Sequence, residues 1–172
     1  VAILYPYYYS KMAYDGFSSM GREDIITLTR CAYLGSQKFG SLVWSGDIES
    51  TFESLAYQVK AGLNMAMCGI PWWNTDIGGF YGADITSDYF KELVVRWFQF
   101  GVFSPILIMA SDKGKYYKRE PWRWSKLTLD IIADYLRLRH RLIPYLYSES
   151  YNYHKLGIPL VQPLYYNYPK IY

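Results

Sequence analysis

The sequence predicts an α/β fold in which helices cover a parallel sheet, and three observations carry that prediction. Ile25-Ile26-Thr27-Leu28-Thr29 and Leu42-Val43-Trp44 are near-continuous apolar runs, as expected of strands buried on both faces. Apolar residues at helical spacing fill the intervals between such runs. Polar groups gather just after the strands, at Arg30, Asp47, Asp76 and the Ser111-Asp112-Lys113 turn. The element order is helix, strand, strand, helix, strand, helix, strand, helix, which builds a parallel sheet with helices outside. An eight-stranded α/β barrel takes about 250 residues, and this chain has 172 with four strands visible. The expected architecture is therefore half of a barrel, with the other half before Val1. A small open α/β sheet is the alternative, and it leaves the gathering of polar groups after the strands without a reason.

The elements follow in order. Tyr5, Tyr8, Met12 and Phe17 recur every three to five residues over 1–20, which predicts a helix with Gly16 near its end. The strand over 25–29 runs into Arg30, and a loop with Gly35, Ser36 and Gly40 leads to the strand over 42–44. Ser50-Thr51-Phe52-Glu53 fits a capping box and opens the next helix. Phe52, Leu55, Ala56 and Val59 share one face of it, and Gly62 is placed to stop it. Asn64 to Cys68 reads as the third strand, broken by Gly69-Ile70-Pro71, and 72–80 reads as a loop. Phe90, Leu93, Val94, Trp97 and Phe98 predict a helix over about 87–100, ended by Gly101. Ser104 to Met109 is the fourth strand, with Pro105 at its start, where a missing amide costs least. A long helix from about Thr128 to Tyr153 follows, with Pro144 placed to kink it. Residues 1–156 are assigned to the barrel. Gly157, Pro159, Pro163 and Pro169 mark 157–172 as a linker or the start of a following β domain.

Composition narrows the function classes. With 51% hydrophobic and 19% charged residues the chain can fold around a core. The 20 tyrosines and 6 tryptophans are many; most fit half-buried positions, with ring packed and hydroxyl wet, and others suit a sugar-binding or base-stacking cleft. A net charge of +3, dispersed along the chain, excludes nucleic acid as the expected partner. The cations between Lys113 and Arg123 read as a solvated loop. Cys31 and Cys68 have neither metal-ligand spacing nor a disulfide framework, and buried free thiols are expected. No apolar run spans a bilayer and no secretory signal stands at Val1, which favours a cytoplasmic setting without deciding it. His140 and His154 lack carboxylates or thiols at ligand spacing, Gly78-Gly79 lacks the Lys-Ser/Thr of a phosphate loop, and no G-x-S-x-G occurs, so neither metal nor cofactor is expected.

The strand-end carboxylates are the candidates for chemistry. Apolar walls disfavour the charged form and hold a proton near neutral pH, which a general acid needs. Trp44, three residues before Asp47, is placed to be such a wall. Arg30 can balance a carboxylate or hold a hydroxyl. Two plainer roles stand beside these: Asp47 as a cap of the following helix, and Arg30 with Asp76 as a structural ion pair.

Leu28-Thr29-Arg30, Gly35-Ser36-Gln37, Trp44-Ser45-Gly46-Asp47, Gly62-Leu63-Asn64, Gly69-Ile70-Pro71 and Asp76-Ile77-Gly78-Gly79-Phe80 together resemble, in order and spacing, glycoside hydrolase family 31, which contains α-glucosidases and α-xylosidases. Trp97-Phe98-Gln99-Phe100-Gly101 and Arg119-Glu120-Pro121-Trp122 also look like its segments. The resemblance implies about the fifth to eighth strands of a (β/α)₈ TIM barrel and a retaining mechanism with two carboxylates. It implies Asp47 as acid/base, Arg30 near the bound sugar, Trp44 and Phe80 as aromatic walls, and Asp76 as the acidic residue beside them. The family's nucleophilic Asp, at the end of the fourth strand, matches nothing here. Its eighth strand usually reads F-x-P-I-x-R-x-H, whereas here Ile108 and Ala110 stand in place of Arg and His. Either the substrate differs at the hydroxyl that the His binds, or another group such as Lys113 substitutes.

The expected function is thus a fragment of a retaining α-glycosidase acting on an oligosaccharide or glycoside. The alternatives are a non-catalytic carbohydrate-binding barrel and an α-glycosyl transferase using the same covalent intermediate. The expected partner is the upstream remainder of the barrel. Without it, strand edges are exposed, so the segment alone is expected to oligomerise or be insoluble, and to be inactive.

Overall fold

The computed structural model describes residues 2–113 and 118–170. Its first helix, α1 (Tyr5–Ser19), carries Pro6 in its first turn, where a missing N–H is an orphan in any case. The helix runs through Gly16 and stops at Gly21, whose φ is 77°. There Gly21 N donates to Ser18 O at 2.9 Å and Arg22 N to Phe17 O at 3.2 Å, the paired bonds of a Schellman end. Gly16 therefore is not the stop that spacing predicted.

Three short strands make a parallel sheet in the order β1 (Thr27–Thr29), β2 (Ser41–Trp44), β3 (Trp73–Asn74). Thr27 stands opposite Ser41, and Val43 opposite Trp73. The strand expected over 104–109 reduces to one parallel bridge between Asp76 and Ile108, with Ile77 N donating to Ile108 O at 3.0 Å. Mixed helices around consecutive parallel strands are those of a partial α/β barrel. Burial along 25–29 is one-sided: Ile25 and Thr29 are buried, whereas Ile26 is 69% and Leu28 50% exposed.

Helix α2 (Phe52–Met67) corrects three expectations at once. Its N-cap is Thr51, whose hydroxyl accepts from Ser54 N at 3.0 Å, and not Ser50. It passes through Gly62, because the glycine is there for space: a Cβ would lie 2.9 Å from Trp73 Cζ3. It ends at Gly69, with φ 75° and Ile70 N donating to Met65 O at 2.9 Å. Asn64 to Cys68, read as a strand, is thus the end of the helix and its cap. Ala61 and Met65, on either side of Gly62, pack with Val43, Ile70 and Trp73, carrying the helical face through the glycine. The third strand lies instead in the stretch read as loop.

Helix α3 (Asp88–Gly101) follows its predicted face closely. Ser87 caps it by accepting from Phe90 N at 3.1 Å. Phe90, Leu93, Val94, Trp97 and Phe98 form the main core with Ile77, Ala83 and Ile132. The predicted long helix is two, α4 (Lys126–Arg141) and α5 (Ile143–Leu156). Pro144 lies in the first turn of α5, where it needs no donor, so the chain breaks at Leu142 instead of bending within one helix. Tyr153 on α5 donates its hydroxyl to Gly69 O at 3.0 Å, tying α5 to the end of α2. Cys31 and Cys68 are both exposed, contrary to expectation, since one lies in the loop beyond β1 and the other caps α2 on its outer side. No helix among the described residues is long and apolar enough to cross a membrane.

Candidate active site

The site is built where β1, β2 and β3 end. Arg30 follows β1 directly. The turn after β2 is Ser45-Gly46-Asp47, with Gly46 at φ 79°. A Cβ on Gly46 would lie 3.0 Å from Arg30 Nε, so the guanidinium runs across the bare glycine. It reaches Asp47, Nη2 to Oδ2 at 3.2 Å, and its Cζ stands 5.6 Å from the centroid of the Trp44 ring. Arg30, Trp44 and Asp47 form one unit, a cation held between an aromatic face and a carboxylate.

This arrangement differs from the predicted one in its electrostatics. The Trp44 ring lies under the Arg30 guanidinium, so its face meets a cation. The Asp47 side chain is 43% exposed and faces a cation. The plainer roles also change: Thr51, not Asp47, caps α2, and the ion pair of Arg30 is with Asp47 and not Asp76.

Asp76, two residues beyond β3, is the buried carboxylate instead. It is 3% exposed, and its Oδ2 has no hydrogen-bond partner among the described residues. Burial, with the negative charge of Asp47 adding to it, pushes its carboxyl up to about 6, against the opposing pull of Arg119 and Arg30. Strand alternation puts Asn74 opposite in sense to Trp73, which turns outward to α2, and so on the inner face. Asn74 is 1% exposed, and among the described residues neither of its side-chain amide atoms finds a partner; Ser45 Oγ and Thr75 Oγ1 are likewise buried and unpartnered there. Such orphans are the groups that ordered water or a ligand satisfies.

Phe80 is half-buried, and its main chain stitches the loops together. Phe80 N donates to Ile48 O at 2.7 Å, Ser50 N to Tyr81 O at 2.9 Å, and Asp112 N to Phe80 O at 3.0 Å. The loop after β3 is thereby joined both to the Asp47 turn and to the segment after Ile108. Asp112 and Lys113 are exposed, with Asp112 Oδ1 accepting from Lys113 N at 2.7 Å in a local turn. Ile108 and Ala110 are half-buried.

Sequence reasoning missed Arg119. Placed by its neighbours in a solvated loop, it is 4% exposed. Nη1 donates to Gly78 O at 3.2 Å and to Gly79 O, and Nη2 to Ser50 Oγ at 3.0 Å and Phe80 O at 3.4 Å. Its Cζ lies 5.3 Å from the Phe90 ring centroid. Burial lowers its pKa to about 10, with Asp76 opposing, so it stays charged at neutral pH. The clue in the sequence is Gly78-Gly79: two successive residues at φ 86° and 77° turn their carbonyls to one side, where donors are required. Ser50 is withdrawn from capping for the same purpose.

The site therefore brings together two carboxylates in unlike surroundings, one half-exposed and paired with Arg30, one buried with its carboxyl raised to about 6. Unlike pairs of this kind are the signature of acid/base work.

Residues 1–149 match the family described as the glycosyl hydrolases family 31 TIM-barrel domain. An α-xylosidase of Saccharolobus solfataricus is 36% identical over 160 residues, covering 93% of this chain and 22% of its own length. The crystal structure of a family 31 α-xylosidase from a soil metagenome, complexed with xylose, superposes with a TM-score of 0.90 at 40% identity over 97% of this chain and 27% of that one. A Flavobacterium johnsoniae family 31 dextranase complexed with glucose gives 0.88 at 33% identity over 96% of this chain and 21% of that one. The chain thus spans about a quarter of the length of these proteins, or less.

Proposed function

The chain belongs to glycoside hydrolase family 31, and on that premise we propose that it carries the acid/base side of a retaining α-glycosidase site. In this reading β1, β2, β3 and the Ile108 bridge are the fifth to eighth strands of a (β/α)₈ barrel. Residues 1–156 belong to the barrel, and 157–172 lead out of it. The partner carboxylate, the nucleophile, comes from the remainder of the barrel. The supporting observation is the Arg30–Trp44–Asp47 unit beside Asp76 at the carboxyl ends of parallel strands, where α/β barrels place their chemistry.

The chemistry is a double displacement. The nucleophile attacks the anomeric carbon while Asp47 gives its proton to the departing glycosidic oxygen. Asp47, then a carboxylate, takes a proton from water as that water attacks the glycosyl-enzyme. A half-exposed side chain suits the second step, because water reaches it directly. To donate a proton Asp47 must loosen its ion pair, which frees the guanidinium of Arg30 for a sugar hydroxyl. Trp44 and Phe80 supply ring faces for the sugar, and Asp76 stands beside them. Relatives named for α-xylosidase and α-glucosidase activity, and structures holding xylose or glucose, make α-xylosides and α-glucosides the substrates to offer.

The test is Asp47→Asn in the full-length protein. A lost general acid costs about 10²- to 10⁴-fold. That loss is expected with a sugar leaving group, and a much smaller one in glycosylation by an activated aryl glycoside, which departs without a proton. Equal losses on both substrates would remove Asp47 from the role. A wild type that binds these sugars and cleaves neither would make the barrel a binding protein, and sugar products in place of free sugar at high acceptor concentration would make it a transferase.

A further inference from the structure

We infer that Arg119 is the positioning residue that fixes where Asp76 and Asp47 stand relative to one another. The two carboxylates sit on different strand-end loops, and nothing covalent holds those loops at a set distance. One guanidinium spans them. On the Asp76 side it takes the carbonyls of Gly78, Gly79 and Phe80, and Gly79 N in turn donates to Asp76 O at 2.9 Å. On the Asp47 side it donates to Ser50 Oγ at 3.0 Å, three residues beyond the carboxylate. Phe80 N closes the circuit on Ile48 O at 2.7 Å, the residue next to Asp47.

Main-chain bonds from Ile77, Phe80 and Tyr81 flank the turn of the loop after β3, and Arg119 adds the side-chain hold on the turn itself. That turn is two glycines, which offer no side chain to pack. Gly79 presses on the Asp47 loop so closely that a Cβ would come within 2.6 Å of Ser50 Cα. Three carbonyls converge there in a buried place, and an unmet buried carbonyl is costly. Only a forked cation serves acceptors spread over two nitrogens; an ammonium is a single point. The Phe90 ring, 5.3 Å behind the Cζ, anchors the guanidinium to the core of α3. Arg119 need touch no sugar to act, which distinguishes it from Arg30.

The test is amide hydrogen exchange and steady-state kinetics on the full-length protein as wild type, Arg119→Lys and Ser50→Ala. Only the kinetic arm rests on the α-glycosidase reading. Arg119→Lys keeps the charge and loses the fork. Exchange at Gly79, Phe80, Tyr81 and Ser50 is expected to quicken at least tenfold, with Val94 and Trp97 in α3 unchanged. Misplaced reacting groups cost up to about 10²-fold, so kcat is expected to fall more than tenfold with KM moved less. Ser50→Ala, which removes one acceptor, is expected to shift both readouts the same way by a smaller factor. Wild-type exchange at those four amides in Arg119→Lys would overturn the inference. So would quickening spread evenly through α3, or faster local exchange with kcat intact. Faster local exchange in a protein whose wild type cleaves no α-glycoside would leave the positioning role standing and sink the glycosidase reading instead.

Discussion

Asp76→Asn should remove the pH dependence of stability that arises at this site. The carboxyl of Asp76 titrates at about 6 in the fold against an ordinary 3.8, because burial disfavours its charge. A folded value raised above the unfolded one means that the folded state holds the proton more tightly. The resulting stability is full below pH 4 and is lost as pH rises toward 6. A rise from 3.8 to about 6 is worth about 3 kcal/mol, which bounds the loss from above. The amide has nearly the same shape and does not titrate. Its constant costs, such as an unmet N–H, are the same at every pH and cancel from the trend. The variant should therefore gain on the wild type by up to about 3 kcal/mol between pH 4 and 6, and the difference should then stay flat to pH 8. Paired denaturant titrations in half-unit steps of pH read this directly. A difference constant from pH 4 to 8 would refute the reasoning, since it would mean that Asp76 ionises in the fold as it does in water.

Two further outcomes follow from the backbone. Thr51→Ala should cost about 1 kcal/mol as a lost N-cap, whereas Glu53→Ala, at an exposed position outside any cap, should stay within about 0.5 kcal/mol; equal costs in denaturant unfolding would restore the capping box. Gly79→Ala and Gly82→Ala both place a side chain at φ near 78°, but the first meets backbone at 2.6 Å and the second only Glu49 Cγ at 3.2 Å. Gly82→Ala should cost about 1–2 kcal/mol, and Gly79→Ala at least about 2 kcal/mol more from the clash; similar melting temperatures for the two would count against the tight loop contact.

What the sequence revealed depends on whether side chains or main chain carry the structure. α3 was legible because five large apolar residues mark one face and Ser87 marks its start. β1 and β2 were legible as apolar runs. β3 was not, since two residues are too few for a pattern, and Asn64 to Cys68 imitates a strand while finishing a helix. Asp47, Arg30, Trp44 and Asp76 were identified as site candidates one by one, but the pairing was not. Which carboxylate faces Arg30 is decided by the bare surface of Gly46, a matter of ångströms. Arg119 escaped because most of its partners are carbonyl oxygens, and every residue has one. Ser50 was assigned the wrong duty because Thr51 beside it can cap equally well.

Gly62 gives the outer helix a say in where β3 stands. Trp73 lies flat in the notch that the glycine leaves in α2, its Cζ3 2.9 Å from where a methyl would be. The same tryptophan begins β3, and Asp76 is three residues along. A methyl at position 62 would act as a shim, pressing on the indole and through it on the strand that leads to Asp76. The setting of Asp76 can thus be adjusted from the helical side of the strand, through a position that carries no side chain.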